Sequence, residues 1–286
     1  MPQKPKIPTV RLRRLAAELR SLRAAAGLTR DEVSERTGIN ATTLYRVETA
    51  KTNPQKRTLI ALLDLYEADP GLRAEVASMA ERATEQGWLR PYHSELPQEY
   101  TAYISFENEA WEVRNYESLF VPGLIQTEQY ARAVIAGTLP LASPVEVDQR
   151  VQARMDRQAV LTKESPLRLR AVIDEAVLHR AVGGQDVMRA QMRHLLQVMD
   201  LPNVSVQAIP FSAGAHPGMP GSFVLMAFAD AEEPEIVYLD SMAGDLFLEA
   251  PVEMRRYNTI FHDVMSQALS PTATAELITK LIRTTV

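Results

Sequence analysis

The segment Leu28–Pro54, LTRDEVSERTGINATTLYRVETAKTNP, constrains this chain more than any other stretch. Thr29 precedes Glu32 by three residues, the spacing of a capping box, in which each side chain answers the other's backbone amide. Gly38 supplies a left-handed stop, and Asn40 caps the helix that follows. The first short helix has one inward anchor, Val33; the second has Leu44 and Val47. Helices this short are marginal in water, so both must dock on neighbours. Those neighbours are legible too. Leu12, Leu15, Leu19 and Leu22 form one helical stripe ahead of Gly27, and Leu59, Leu62, Leu63 and Tyr66 form another after Asn53-Pro54. A fifth helix restarts at Asp69-Pro70, with proline in a tolerated first-turn position, and carries Leu72, Val76 and Met79. The expected fold over residues 11–86 is a bundle of about five helices.

Docking the second short helix by Leu44 and Val47 leaves its other face outward. That face holds Ala41, Thr42, Thr43, Tyr45, Arg46 and Thr49. An α-helix fits the major groove of B-DNA, where each base pair shows its own pattern of donors, acceptors and methyl groups. Arg46 suits a bidentate contact to guanine, and Ala41 and Thr42 suit a thymine methyl, with Tyr45 beside them. Arg30, Asn40, Thr43, Lys51, Asn53, Lys56 and Arg57 surround this face as phosphate contacts, which orient a protein without reading sequence. The competing reading is an ordinary helical hairpin with a solvated basic rim.

Charge distinguishes the two ends of the chain. The total is −5, yet residues 1–66 alone carry +7 and the remainder −12. A basic head on an acidic body points to a polyanionic partner at the head. There are no cysteines, which excludes disulfides and thiolate metal sites and fits a reducing cytoplasm. Arginines interrupt every apolar stretch of residues 1–25, so no secretion signal is expected. The longest apolar run, Phe223–Ala229, is far short of the roughly 20 residues of a membrane span.

Residues 1–10, with Pro2, Pro5 and Pro8, read as a disordered basic arm, and residues 87–98 as a proline-containing linker. The larger part, 99–286, is expected to be mixed: helical over 99–165, then α/β over 166–286. Helices are predicted near 99–117, 127–135, 145–161, 185–199 and 251–268. Strands are predicted at 167–173, 204–209, 223–228 and 236–239.

No catalytic signature stands out in this part. Glu107 and Glu109 lie two apart on a predicted helix and face different ways. Asp174 and Glu175 end a strand and open a helix, where carboxylates suit the helix dipole. Structural roles are preferred for all four over acid–base work. The histidines show no metal-motif spacing, and no phosphate loop or nucleophile elbow occurs. His216 lies in the loop Gly214-Ala215-His216-Pro217-Gly218, where a ligand contact competes with a plain surface role. Val121–Thr127 with Tyr130 reads as a packing corner, with a pocket wall as its rival. Glu107, Gln126, Tyr130, Asp174, Glu175 and His216 are therefore the candidates for an effector or partner pocket. No metal, no cofactor and no enzymatic activity are expected.

Leu28–Pro54 resembles the XRE-type helix-turn-helix of phage-repressor-like regulators, at Thr29, Gly38, Arg46, Glu48, Lys51 and Asn53-Pro54. Two positions depart from that pattern. Ala41 stands where a long polar residue is common, and Ala50 where glycine is common, a change that costs little if Ala50 stays helical. Phe106–Ile135, Val172–Gly184 and Val206–Phe223 resemble a C-terminal domain of unknown function carried by WhiJ-like regulators of filamentous, high-GC bacteria. The resemblance implies a cytoplasmic, DNA-binding transcriptional regulator, a repressor type that acts as a homodimer on double-stranded DNA. Its body would sense a small-molecule effector or a small partner protein. A toxin-like or enzymatic body tethered to a DNA-binding head is the alternative.

Overall fold

The computed structural model describes residues 10–82, 96–229, 235–241 and 244–284. The proposed arm (apart from Val10, which opens the first helix) and most of the proposed linker lie outside these residues. The chain divides into two compact units, and the division falls inside a helix, between Phe106 and Glu107.

In the first unit, α1 (Val10–Ala25), α2 (Arg30–Thr37), α3 (Ala41–Glu48), α4 (Lys56–Leu65) and α5 (Pro70–Arg82) form the expected bundle. Leu15, Leu19, Val33, Leu44, Val47 and Leu62 make its core, each essentially inaccessible. Removing a side chain of this size fully from water contributes roughly 1.5–3 kcal/mol, which is how helices of eight residues hold their place. The local stops also form as expected. Thr29 and Glu32 close the capping box, Gly38 takes φ 72°, and the Asn40 carboxamide oxygen accepts from the Thr42 amide at 2.8 Å. Ala50 differs. It adopts φ 55° instead of continuing the helix, because the chain must reverse after α3 while the Ala50 methyl stays buried.

The sixth helix, α6 (Gln98–Glu109), leads into the second unit, whose centre is a six-stranded sheet. Its strands are β1 (Glu112–Glu117), β2 (Arg168–Asp174), β3 (Val204–Ile209), β4 (Phe223–Ala227), β5 (Ile236–Leu239) and β6 (Leu246–Leu248), in the order β3-β2-β1-β4-β5-β6. The first three run parallel; β4, β5 and β6 are antiparallel to their neighbours. Helices α7 (Glu128–Thr138) and α8 (Pro144–Asp156) connect β1 to β2. Short α9 (Ala176–His179) and α10 (Gln185–Val198) connect β2 to β3, and α11 (Pro251–Gln267) and α12 (Pro271–Thr284) follow the sheet.

The helix expected over 99–117 is corrected. It stops at Glu109, the Trp111 amide donates to the Ala227 carbonyl at 3.0 Å, and β1 begins at Glu112. The region expected to be helical therefore contains the central strand. β1 hides from a hydrophobic pattern because two of its buried residues, Glu112 and Asn115, are polar. Glu112 is compensated by Arg170 at 3.0 Å and Arg114 at 3.5 Å, and Asn115 donates to the Phe223 carbonyl at 3.2 Å. Strand β6 and helix α12 were not anticipated. The start of α12 closes the outer margin of β3: the Ala208 amide donates to the Thr274 hydroxyl at 3.0 Å, and its carbonyl accepts from the Leu269 amide at 2.8 Å.

Candidate functional site

Two places were singled out by sequence, and each is built by one unit. In the first, α3 presents Thr42, Thr43, Tyr45 and Arg46 to solvent, with Ala41 half-buried. Among the described residues the Arg46 side chain makes no hydrogen bond or ion pair, and neither do the side chains of Lys56 and Arg57. Lys51 Nζ lies 5.0 Å and the Arg30 guanidinium 5.5 Å from the centre of the Tyr45 ring, so an exposed aromatic is in reach of two cations.

What holds α3 in place is Glu48, which sequence reading noted only as a shared position. Its side chain is buried, and its carboxylate takes Arg23 of α1 at 2.6 Å and Arg30 of α2 at 2.7 Å. Its backbone carbonyl accepts from Arg20. The hydrogen bond to Glu48 also raises the Arg23 pKa. Three helices thus converge on the last residue of α3, and the pairs are short because a buried carboxylate requires partners.

Two expected phosphate contacts have other employment. Arg30 is half-buried against Glu48. Asn53 donates to the Ala80 carbonyl at 3.0 Å, tying the loop after α3 to α5. The Asn40 side chain is exposed but engaged as the cap of α3. Thr43, Lys51, Lys56 and Arg57 remain outward.

The second place is the C-terminal edge of the parallel strands, where α/β sheets usually carry their sites. The Asp174 carboxylate accepts from the Ala176 amide at 2.8 Å and meets His216 Nε2 at 3.2 Å. Glu175 accepts from the Phe211 amide at 2.7 Å and meets His179 Nε2 at 3.2 Å. Both carboxylates therefore fasten the connection from β3 to β4 onto the end of β2. Gly218 of that connection lies against the ring of Tyr116, where a Cβ would come within 2.5 Å of Cζ. Burial pushes the Tyr116 phenol up.

The other three pocket candidates do not join them. Glu107 is fully buried, with the Arg157 guanidinium 3.4 Å away. That guanidinium passes over the bare α-carbon of Gly123; a Cβ there would sit 2.0 Å from Nη2. Gln126 donates to the Val121 carbonyl at 2.6 Å and accepts from Arg154 at 3.1 Å, and the Tyr130 hydroxyl accepts from the Val121 amide at 3.2 Å. Val121–Thr127 is accordingly a packing corner with its polar groups satisfied internally.

A family model described as a helix-turn-helix domain matches residues 14–76. A second, described as a domain of unknown function, DUF5753, matches residues 100–280, well over half of the chain. The chain belongs to the DUF5753 family. Neither a curated protein nor a solved structure matches it. A helix-turn-helix head joined to this domain agrees with the resemblance to XRE-type regulators and supports a DNA-binding regulator. Among the described residues no helix is long and apolar enough to cross a membrane.

Within the DUF5753 domain the sequence pointed to polar residues by motif and overlooked Glu117. It ends β1 next to Asn115, half-buried, and burial pushes its carboxyl up to about 7 against the opposing hydrogen bonds from Ser222 and Asn115. Nothing in the local pattern marks it, because two of the groups that act on it, Ser222 and Asp240, lie more than a hundred residues away.

Proposed function

We propose that this protein is a sequence-specific transcriptional regulator that reads double-stranded DNA with the outer face of α3. The observation that carries the reading is Arg46: exposed, free of partners among the described residues, on a helix pinned by buried ion pairs. A guanidinium left unpaired on a rigid helix is suited to the bidentate recognition of guanine. Thr42 and Tyr45 extend the base-reading face, with Ala41 at its start, and Thr43, Lys51, Lys56 and Arg57 supply phosphate contacts. The protein acts in the cytoplasm as a homodimer whose heads take half-sites about 34 Å apart, and represses where they bind. Its DUF5753 domain senses a small effector or a small partner protein and is not catalytic. In support, Asp174 and Glu175 are engaged structurally, fastening the connection from β3 to β4 onto the end of β2.

The test is a mobility shift on DNA from the protein's own promoter region against unrelated DNA, at moderate salt. Specific binding should exceed non-specific binding by about a thousandfold or more. Arg46→Ala should remove about 1–3 kcal/mol of discrimination at one base pair. Indifference to sequence would falsify the proposal, since phosphate electrostatics alone accounts for non-specific affinity.

A further inference from the structure

Strand β5 ends at Leu239 and is followed by Asp240 and Ser241, while α11 carries Arg256, Tyr257 and Ile260 past the same point. Between these and the segment that enters β4 lies a cavity of about 450 Å³. This is within the range of small-molecule sites. One wall is apolar: the Phe223 and Tyr257 rings meet edge to face at 5.2 Å, with Leu239 and Ile260 beside them. The polar lining has both signs of charge. Asp240 and Arg256 both line the cavity, both are exposed, and among the described residues neither side chain makes an ion pair or hydrogen bond.

Opposite charges on one cavity, unpaired with each other and beside an aromatic wall, match a ligand that carries both charges itself. A simple anion would suffer from Asp240, and a simple cation from Arg256. A metal ion has no cage, since no three His, Asp or Glu side chains group suitably among the described residues. Ser222 lines the cavity and accepts from the Ser118 amide at 3.1 Å, and Glu117 lies close enough to Asp240 for the two carboxylates to interact.

We propose that this cavity binds a small zwitterion with an apolar body, a free amino acid or a short peptide. Its ammonium meets Asp240, its carboxylate meets Arg256, and its side chain lies on Phe223 and Tyr257. This names the ligand class of the effector role proposed above and rests on that reading only for its link to DNA.

The test is calorimetric titration of the full chain with L-leucine, L-phenylalanine and leucyl-leucine, each against its N-acetylated and amidated form. At least one free zwitterion should bind, and blocking either end should weaken it about tenfold, the scale of a hydrogen-bonded charge. The preference between leucine and leucyl-leucine distinguishes amino acid from peptide. Asp240→Asn should abolish the penalty for N-acetylation, and Arg256→Gln the penalty for amidation; both residues are exposed, so the variants retain the fold. Absence of binding by every zwitterion, or equal binding of free and blocked forms, overturns the proposal and leaves DNA recognition untouched. Binding that leaves promoter affinity unchanged in a mobility shift upholds the zwitterion site and defeats effector sensing instead.

Discussion

Ala50 and Glu67 both have left-handed backbones, φ 55° and 53°, and neither is glycine. An L-residue pays about 1–2 kcal/mol for that conformation, and glycine relieves it at some cost in unfolded-state freedom. The two sites differ in what the side chain gives back. The Ala50 methyl is 6% exposed, and a buried methyl is worth about 0.8 kcal/mol. Glu67 is exposed and buries nothing comparable. Glu67→Gly should therefore stabilise the head by about 0.5–1 kcal/mol, and Ala50→Gly by close to zero. Urea unfolding of the two variants checks the ordering; a larger gain at Ala50 would mean that its methyl contributes nothing to the core.

At the scale of the element, α3 is stiff because it is clamped, not because eight residues make a stable helix. Glu48→Gln keeps the shape of the side chain but leaves the Arg23 guanidinium without its counter-charge. Breaking a buried pair in this way costs about 3 kcal/mol or more. Specific DNA affinity should drop with it, although Glu48 is buried beneath the outer face. Retained stability and retained affinity in this variant would show the clamp to be dispensable. The elements of the head were readable from sequence because each is announced locally, by Thr29 with Glu32, by Gly38 and by Asn40. Strand β1 was not, because its buried Glu112 and Asn115 are made tolerable by Arg170 and by the Phe223 carbonyl, partners fixed only when the sheet assembles. The same reason separates the two sites. Arg46 follows from helical spacing, whereas the cavity of Asp240 and Arg256 exists only once β5 and α11 meet.

The molecule as a whole has a core in each unit, so heating should melt the two cores separately. Glu48→Gln should lower only the transition of the first unit. Glu117→Gln acts on the second, and its effect depends on pH. Unfolded, Glu117 loses its proton near its ordinary 4.5; folded, near 7. Between those values the folded state holds the extra proton, so this group makes stability fall as pH rises, with the full cost present above about 7. The variant should be the more stable form at pH 8, by at most about 3 kcal/mol and less for the water that still reaches the group. The two proteins should converge near pH 4. A difference that is constant with pH, read by denaturant titration across this range, would remove Glu117 as its source.

Thr274 and Leu269 occupy backbone groups of β3 that would otherwise be open to another strand. Sheets stack into fibres by growing at both margins. Here one margin is obstructed by the chain itself and the opposite one, β6, offers a run of three residues. Strand exchange between molecules can thus join a pair at most, and the chain is spared the polymerisation that an open-ended sheet invites.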